Sequence, residues 1–275
     1  MKFRVALAQV EPIPAAPLKN VDKLKNIVNN YEADLYIFPE LFLTGYTSKD
    51  LIPRYSLTLA HPIMDSIKML AKEKRIGMII GFPEKSDWGF LYNSALAINE
   101  RGEIFVYRKR HLPTFSVFDE HRWFRPYRGR IIPWIFRSIG IGIGICYDIF
   151  FPEIFRAYTL MGSKLLVVIS ASPDSSVPLF HILAKARALE NTTYFLWVNM
   201  VGFFDGLGFG GSSLVVDPLG NVIAELKSYE EEIKVVELDL GIIDKYRSMR
   251  PVIRDTYIED AEILLASYRE FEGLR

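Results

Sequence analysis

The chain has 275 residues, half of them hydrophobic and 24% charged, with 33 basic and 33 acidic side chains and a formal net charge of zero. That composition is ordinary for a soluble globular protein, and the balanced charge offers no electrostatic footprint for nucleic acid or for an anionic membrane surface. The opening decapeptide is too short and interrupted for a signal peptide, no apolar run is long enough to span a bilayer, and a single cysteine, Cys146, fits a reduced, cytoplasmic setting.

Strand-like and helix-like segments alternate along the chain. Phe3 to Val10 reads as a strand, and Leu18, Val21, Leu24, Ile27 and Val28 recur at helical spacing. A strand over Asp34 to Phe38 runs into Pro39-Glu40. Ile63, Ile67 and Leu70 mark a second helix, and strands follow at Ile76 to Phe82, Asn93 to Ile98 and Ile104 to Tyr107. The run Ile-Gly-Ile-Gly-Ile-Cys ending at Cys146 predicts a buried strand, and Pro152 opens a helix after it. Leu165 to Ser170 is a strand, Phe180 to Asn191 a helix, and Tyr194 to Met200, Ser213 to Val216 and Ile233 to Leu238 are strands. The pattern predicts one α/β domain over 1–275 with a mixed sheet and covering helices. Residues 251–275 leave the alternation and are expected to pack on another subunit.

Three features carry chemistry. Cys146 closes its strand at the carboxyl end, where open α/β sheets place ligands; taken alone, a free Cys is more often a small buried hydrophobe. The tripeptide Phe-Pro-Glu occurs three times, ending at Glu40, Glu84 and Glu153. Glu153 falls in a first helical turn, where a carboxylate suits the dipole, but chemistry does not separate Glu40 from Glu84. Lys109 follows a strand within a basic cluster. A thiol, a carboxylate and an ammonium, each at a strand end, make an acyl-transfer site: nucleophile, proton carrier and oxyanion partner. The Lys charge also favours thiolate over thiol. His61, His111, His121 and His181 have no metal-ligand spacing, so no metal is expected. The Gly-rich stretches 140–144 and 206–211 lack the strand-to-helix context of a dinucleotide site; a strand glycine that permits close backbone approach is the better reading.

Phe38-Pro-Glu-Leu-Phe-Leu-Thr-Gly-Tyr46, Lys109-Arg-His-Leu-Pro113 and Cys146-Tyr-Asp-Ile-Phe-Phe-Pro-Glu153, in that order, resemble the signature segments of the nitrilase superfamily, the carbon–nitrogen hydrolases with a Glu-Lys-Cys triad. Arg187-Ala-Leu-Glu-Asn191, Phe209-Gly-Gly-Ser-Ser213 and Asp217-Pro-Leu-Gly220 extend the similarity over nearly the whole chain. The resemblance implies a four-layer α-β-β-α sandwich and a homodimer or larger homo-oligomer. It also decides for Glu40 over Glu84. Glu40 is then the base and acid, Cys146 the nucleophile, and Lys109 with the Tyr147 N–H the oxyanion site. Glu120 orients Lys109 and the substrate. No cofactor is implied.

Leu43-Thr-Gly-Tyr-Thr-Ser-Lys-Asp-Leu51 and Val117-Phe-Asp-Glu-His-Arg-Trp-Phe124 resemble the glutaminase domains of glutamine-dependent NAD synthetases. The chain departs from them at Thr114-Phe115, where those domains carry Asn-Tyr, and at Ser172-Pro-Asp-Ser-Ser-Val-Pro178, where they carry Ser-Pro-Tyr, and no attached synthetase domain is expected. The expectation is an amidase acting on a small amide through a Cys thioester, with Tyr46, Phe115, Tyr147, Asp174 and Phe180 at the substrate. The alternatives are a free-standing glutaminase, an N-carbamoyl amidohydrolase or nitrilase, and a non-catalytic scaffold of the same fold.

Overall fold

A computed structural model describes residues 2–204 and 206–274, without the side chains of residues 47–49, which fall in the glutaminase-like stretch. Among the described residues the strands, in chain order, are β1 (Lys2–Gln9), β2 (Leu35–Ile37), β3 (Gly77–Lys85), β4 (Leu91–Ile98), β5 (Ile104–Arg108), β6 (Trp134–Phe136) and β7 (Ile139–Ile145). Then come β8 (Ser163–Ser170), β9 (Tyr194–Asn199), β10 (Val201–Phe204), β11 (Leu207–Gly210), β12 (Leu214–Val216), β13 (Val222–Glu225) and β14 (Glu232–Asp239). The helices are α1 (Pro17–Asn30), α2 (Ile52–Tyr55), α3 (Pro62–Lys74), α4 (Pro152–Leu160), α5 (Val177–Asn191), α6 (Gly241–Met249) and α7 (Ile258–Gly273).

Two six-stranded sheets form, in the orders β14-β1-β2-β3-β4-β5 and β13-β12-β9-β8-β7-β6, while β10 and β11 pair as a separate hairpin. Both large sheets mix parallel and antiparallel neighbours, as the strand-rich last third predicts. Side-chain alternation divides the first sheet cleanly. Phe3, Val5, Leu7, Leu35, Ile37, Ile79, Ala95 and Ala97 face the second sheet. Ala6, Ala8, Tyr36, Met78, Ile80, Leu96 and Ile98 face the outer helices, meeting Val21 and Leu24 of α1 and Ile63 and Ile67 of α3. Helices α4 and α5 cover the far side of the second sheet through Ile154, Phe155, Tyr158, Ala184 and Ala188. The result is a four-layer α-β-β-α sandwich.

The Ile-Gly repeat of β7 has a steric cause. Ile139, Ile141, Ile143 and Ile145 all enter the inter-sheet core, and the glycines occupy the other face. A Cβ on Gly142 would meet the Tyr158 ring at 2.6 Å, and one on Gly144 would lie 3.1 Å from the Phe155 ring. The glycines therefore let α4 lie close against the strand that leads to Cys146. Proline in the first turn starts α1, α3, α4 and α5, where its missing N–H costs nothing.

Several elements differ from the sequence expectation. Leu18 belongs to α1 but is exposed. Strands β6, β10, β11 and β13 are three or four residues long, too short to show a period. Cys146 is not the last strand residue: β7 stops at Ile145, and Cys146 opens a 3₁₀ turn with φ of 45°. Within residues 251–275 the chain forms α7, which buries none of its side chains in the chain.

Candidate active site

Four chain segments deliver the site to one end of the sandwich. Glu40 follows β2, Lys109 follows β5, Cys146 follows β7 and Ala171-Ser172 follow β8, so each comes just after the carboxyl end of its strand. Two of these strands belong to each sheet. The turns are tight. Leu41, beside Glu40, has φ of 50°, and Cys146 has φ of 45°, a region that non-glycine residues enter only when their surroundings hold them there. Gly81 of β3 makes room for the first turn: a Cβ there would sit 2.3 Å from the Pro39 carbonyl oxygen and 2.6 Å from the Glu40 Cα.

Lys109 is the hub. Its Nζ donates to Glu40 Oε1 at 2.7 Å and to Glu120 Oε1 at 2.7 Å, and all three side chains are buried. Burial works against a charged lysine, but Glu120 and then Glu40 outweigh it, so the ammonium is held more firmly than usual. Two carboxylates around one cation leave an excess negative charge. Burial, with Glu40 adding to it and Lys109 opposing, pushes the Glu120 carboxyl up to about 7. Burial and then Glu40 also push the Cys146 thiol up, against the pull of Lys109. Lys109 thus favours the thiolate, as its charge predicts, but burial and the Glu40 charge outweigh it. A thiol held in this way needs a neighbouring base before it can serve as a nucleophile.

Glu40 is held through both of its carboxylate oxygens. Its Oε1 takes Lys109 and the Asn93 amide at 2.7 Å, and its Oε2 takes the Ala171 N–H at 2.8 Å. The Cys146 Sγ lies 3.6 Å from the Ser172 Oγ, one residue beyond that N–H. Asn93, on β4, also reaches Glu120 Oε2 at 3.5 Å, so one amide braces both carboxylates. Asn199 holds the Ser172 backbone, its Oδ1 accepting from the N–H at 2.8 Å and its Nδ2 donating to the carbonyl at 3.1 Å. Asp148 ties the Cys146 turn to the Lys109 loop: it accepts from the Ile145 and His111 N–H groups and from the Tyr107 hydroxyl.

Glu84, the rival that chemistry left level with Glu40, belongs elsewhere. Its carboxylate makes a two-pronged pair with Arg108, at 2.8 and 2.5 Å, and accepts from Ser94. Glu153 sits in the first turn of α4 and accepts from the Tyr268 hydroxyl of α7.

A cavity of about 260 Å³ opens at Cys146, lined by Phe115, Phe118, Tyr147, Phe150, Leu179 and Phe180 together with prolines and serines. Two predicted substrate residues are not in it. The Tyr46 hydroxyl donates to Glu120 Oε1 at 3.0 Å, and its ring lines a small cavity with Leu41, Trp123 and Phe124; it positions Glu120. Asp174 lines a different cavity, with Val177, Ser212 and Tyr229, because its carboxylate lies against the bare glycines of β11. Asn93, Ser172 and Asn199 escape sequence reasoning, since single amides and hydroxyls in strands carry no spacing signal. Among the described residues no group of three or more His, Cys, Asp and Glu is arranged to hold a metal.

Residues 4–248 match the carbon-nitrogen hydrolase family. The chain belongs to that family, within the nitrilase superfamily. It is 33% identical over 235 residues to a glutamine-dependent NAD(+) synthetase of Aquifex aeolicus, covering 81% of this chain but only 40% of the synthetase. It is 32% identical over 237 residues to an (R)-stereoselective amidase of a Pseudomonas species, covering 86% of this chain and 82% of the amidase. Among solved structures, an amidase variant from Nesterenkonia sp. AN1, with the acetamide moiety of fluoroacetamide covalently added at its active-site cysteine, superposes with a TM-score of 0.78 at 26% identity. That match covers 94% of this chain and 95% of the amidase. As a carbon–nitrogen hydrolase the protein is an enzyme acting on C–N bonds.

The excess charge of the carbon–nitrogen hydrolase cluster sets a pH dependence. Glu120 is raised, so it takes up a proton as pH falls through about 7. The buried pair then holds a proton beside the base, and kcat/KM should fall about tenfold per pH unit below that value. Glu120→Gln removes the group that takes the proton and should remove this limb while lowering the plateau. Profiles between pH 5 and 9 check it; an unchanged limb in the variant would assign the proton to another group.

Proposed function

We propose that the protein hydrolyses the non-peptide C–N bond of a small amide through a thioester on Cys146, releasing ammonia. The observation that carries this is the buried Glu40–Lys109–Glu120 cluster beside the only thiol, at the inner end of an apolar cavity. Glu40 takes the thiol proton as sulfur bonds to the amide carbon. The carbonyl oxygen, now an oxyanion, is met by the Lys109 ammonium and by the Tyr147 N–H at the head of the 3₁₀ turn. Glu40 returns the proton to nitrogen, the C–N bond breaks and ammonia leaves. Water, deprotonated by the same carboxylate, then cleaves the thioester to the acid and restores the thiol. The covalent adduct of the Nesterenkonia amidase supports a cysteine nucleophile, and the Pseudomonas amidase supports the substrate type.

The second reading is a glutaminase that supplies ammonia to a synthetase, supported by the similarity to NAD synthetases. The lining of the Cys146 cavity weighs against it, because no charged side chain is available there for the amino acid end of glutamine. Intact-mass analysis after rapid mixing with an amide library should show an acyl adduct on Cys146, and the adduct mass names the acyl group. A glutamyl adduct would make the second reading correct. The absence of any adduct, together with no ammonia release, would leave a scaffold of the same fold.

We place the protein in the cytoplasm, where its thiol stays reduced; no helix among the described residues is long and apolar enough to cross a membrane. We also assign α7 to a subunit interface, since Ile258, Ile263, Leu264, Leu265, Tyr268 and Phe271 are exposed along one helix. Light scattering should return at least twice the 31.6 kDa chain mass. A monomer at micromolar concentration would refute that assignment.

A further inference from the structure

The walls of the Cys146 cavity are more specific than apolarity alone. Its aromatic rings form one connected series. Phe118 meets Phe115 edge to face at 5.7 Å, Phe115 meets Tyr147 at 5.3 Å, Tyr147 lies 5.4 Å from Phe150, and Phe150 meets Phe180 at 5.8 Å. The inner end is closely packed: Phe180 is buried and stacks on Trp197 at 5.1 Å and 22°. The outer end is open, with Phe115 51% and Leu179 50% exposed. No Lys, Arg, His, Asp or Glu lines the space. The charged groups nearest the sulfur, Lys109, Glu40 and Glu120, are bound to one another.

We infer that the acyl group taken by this site is uncharged and carries an aromatic ring, so that the substrate class is the primary amide of an arylalkanoic acid. The inference rests on the amidase reading for its chemistry, but its recognition part stands on the cavity alone. Ring edges and faces presented together favour a further ring in offset or edge-to-face contact over a flexible alkyl chain. Size agrees: an apolar cavity of about 150 Å³ holds benzene, so about 260 Å³ holds a phenyl ring and the short carboxamide arm that reaches Cys146. The α-ammonium and α-carboxylate of glutamine would lose water in this space and gain no partner.

Recognition and turnover are measured separately. For recognition, the whole chain carrying Cys146→Ala is titrated calorimetrically with 3-phenylpropanamide, hexanamide, propanamide and glutamine. The expected order places 3-phenylpropanamide about three- to tenfold tighter than hexanamide, at least tenfold tighter than propanamide, and at least a hundredfold tighter than glutamine. For turnover, kcat/KM on the wild type should follow the same order. Phe115→Ala and Phe150→Leu should each narrow the ratio of 3-phenylpropanamide to propanamide by about fivefold or more. Hexanamide bound as tightly as the aryl amide, or glutamine bound best, overturns the inference. Aryl preference in binding with no amide turned over by the wild type upholds it and defeats the amidase reading instead. Turnover of neutral amides with no aryl preference does the reverse.

Discussion

Cys146→Ala is expected to lower amide turnover by at least about 10⁴-fold, the loss that follows removal of a nucleophile acting with its base. The fold should survive. The thiol is buried but small, it makes a long side-chain contact to Ser172, and alanine leaves a cavity of a single sulfur atom. Far-UV circular dichroism and the thermal midpoint should therefore change little. Cys146→Ser should be nearly as inactive, since its hydroxyl releases a proton less readily than a thiol in the same desolvated place. Alkylation of the wild type by iodoacetamide should show no midpoint below that of an ordinary thiol, because burial and Glu40 hold the proton on sulfur. Unchanged hydrolysis in the alanine variant would remove the thioester mechanism. A low-pH alkylation midpoint would mean that the Lys109 charge is less neutralised than its two short contacts imply.

The second large effect separates the two Phe-Pro-Glu carboxylates. Lys109→Ala and Glu40→Gln should each cost about 10²- to 10⁴-fold in kcat/KM. Without Lys109, Glu40 and Glu120 keep no cation between them, and one of them must take a proton. Glu40→Gln preserves shape but not wiring. Both carboxylate oxygens accept hydrogen bonds, from Lys109 and Asn93 on one side and Ala171 on the other. A glutamine amide must turn its NH₂ toward one of these donors, so some stability is lost as well. Glu84→Gln should behave oppositely. It breaks the pair with Arg108, a partly exposed arrangement that contributes about 1–3 kcal/mol, so the thermal midpoint falls while the folded variant keeps its kcat. Equal activity losses at Glu40 and Glu84 would mean that the Arg108 pair positions the adjacent Lys109.

The features of this protein that depend on near neighbours are legible in the order of its residues. The apolar runs of β1, β3 and β4 mark them as strands, in which residue i and residue i+2 share a face whatever the rest of the chain does; which of the two apolar faces meets the other sheet came from packing. The Ile-Gly repeat marks a strand with room on one side, and the motif order around Glu40, Lys109 and Cys146 names the family. Features that depend on several segments meeting emerge only from the packed fold. Glu40 and Glu84 follow the same tripeptide, yet only Glu40 reaches Lys109 and the Ala171 N–H, a contact across 131 positions; Glu84 ends against Arg108. Tyr46 turns to Glu120 and Asp174 to the glycines of β11, although both stand in motifs read as substrate contacts. Asn93 bridges two carboxylates that are 80 residues apart in the chain, and burial, then the Glu40 charge, pushes the Cys146 thiol up in a way that no local pattern contains. A hydrogen bond or a Coulomb interaction depends on distance in space, and at one end of a two-sheet sandwich that distance is set by strand order and sheet packing rather than by spacing along the chain.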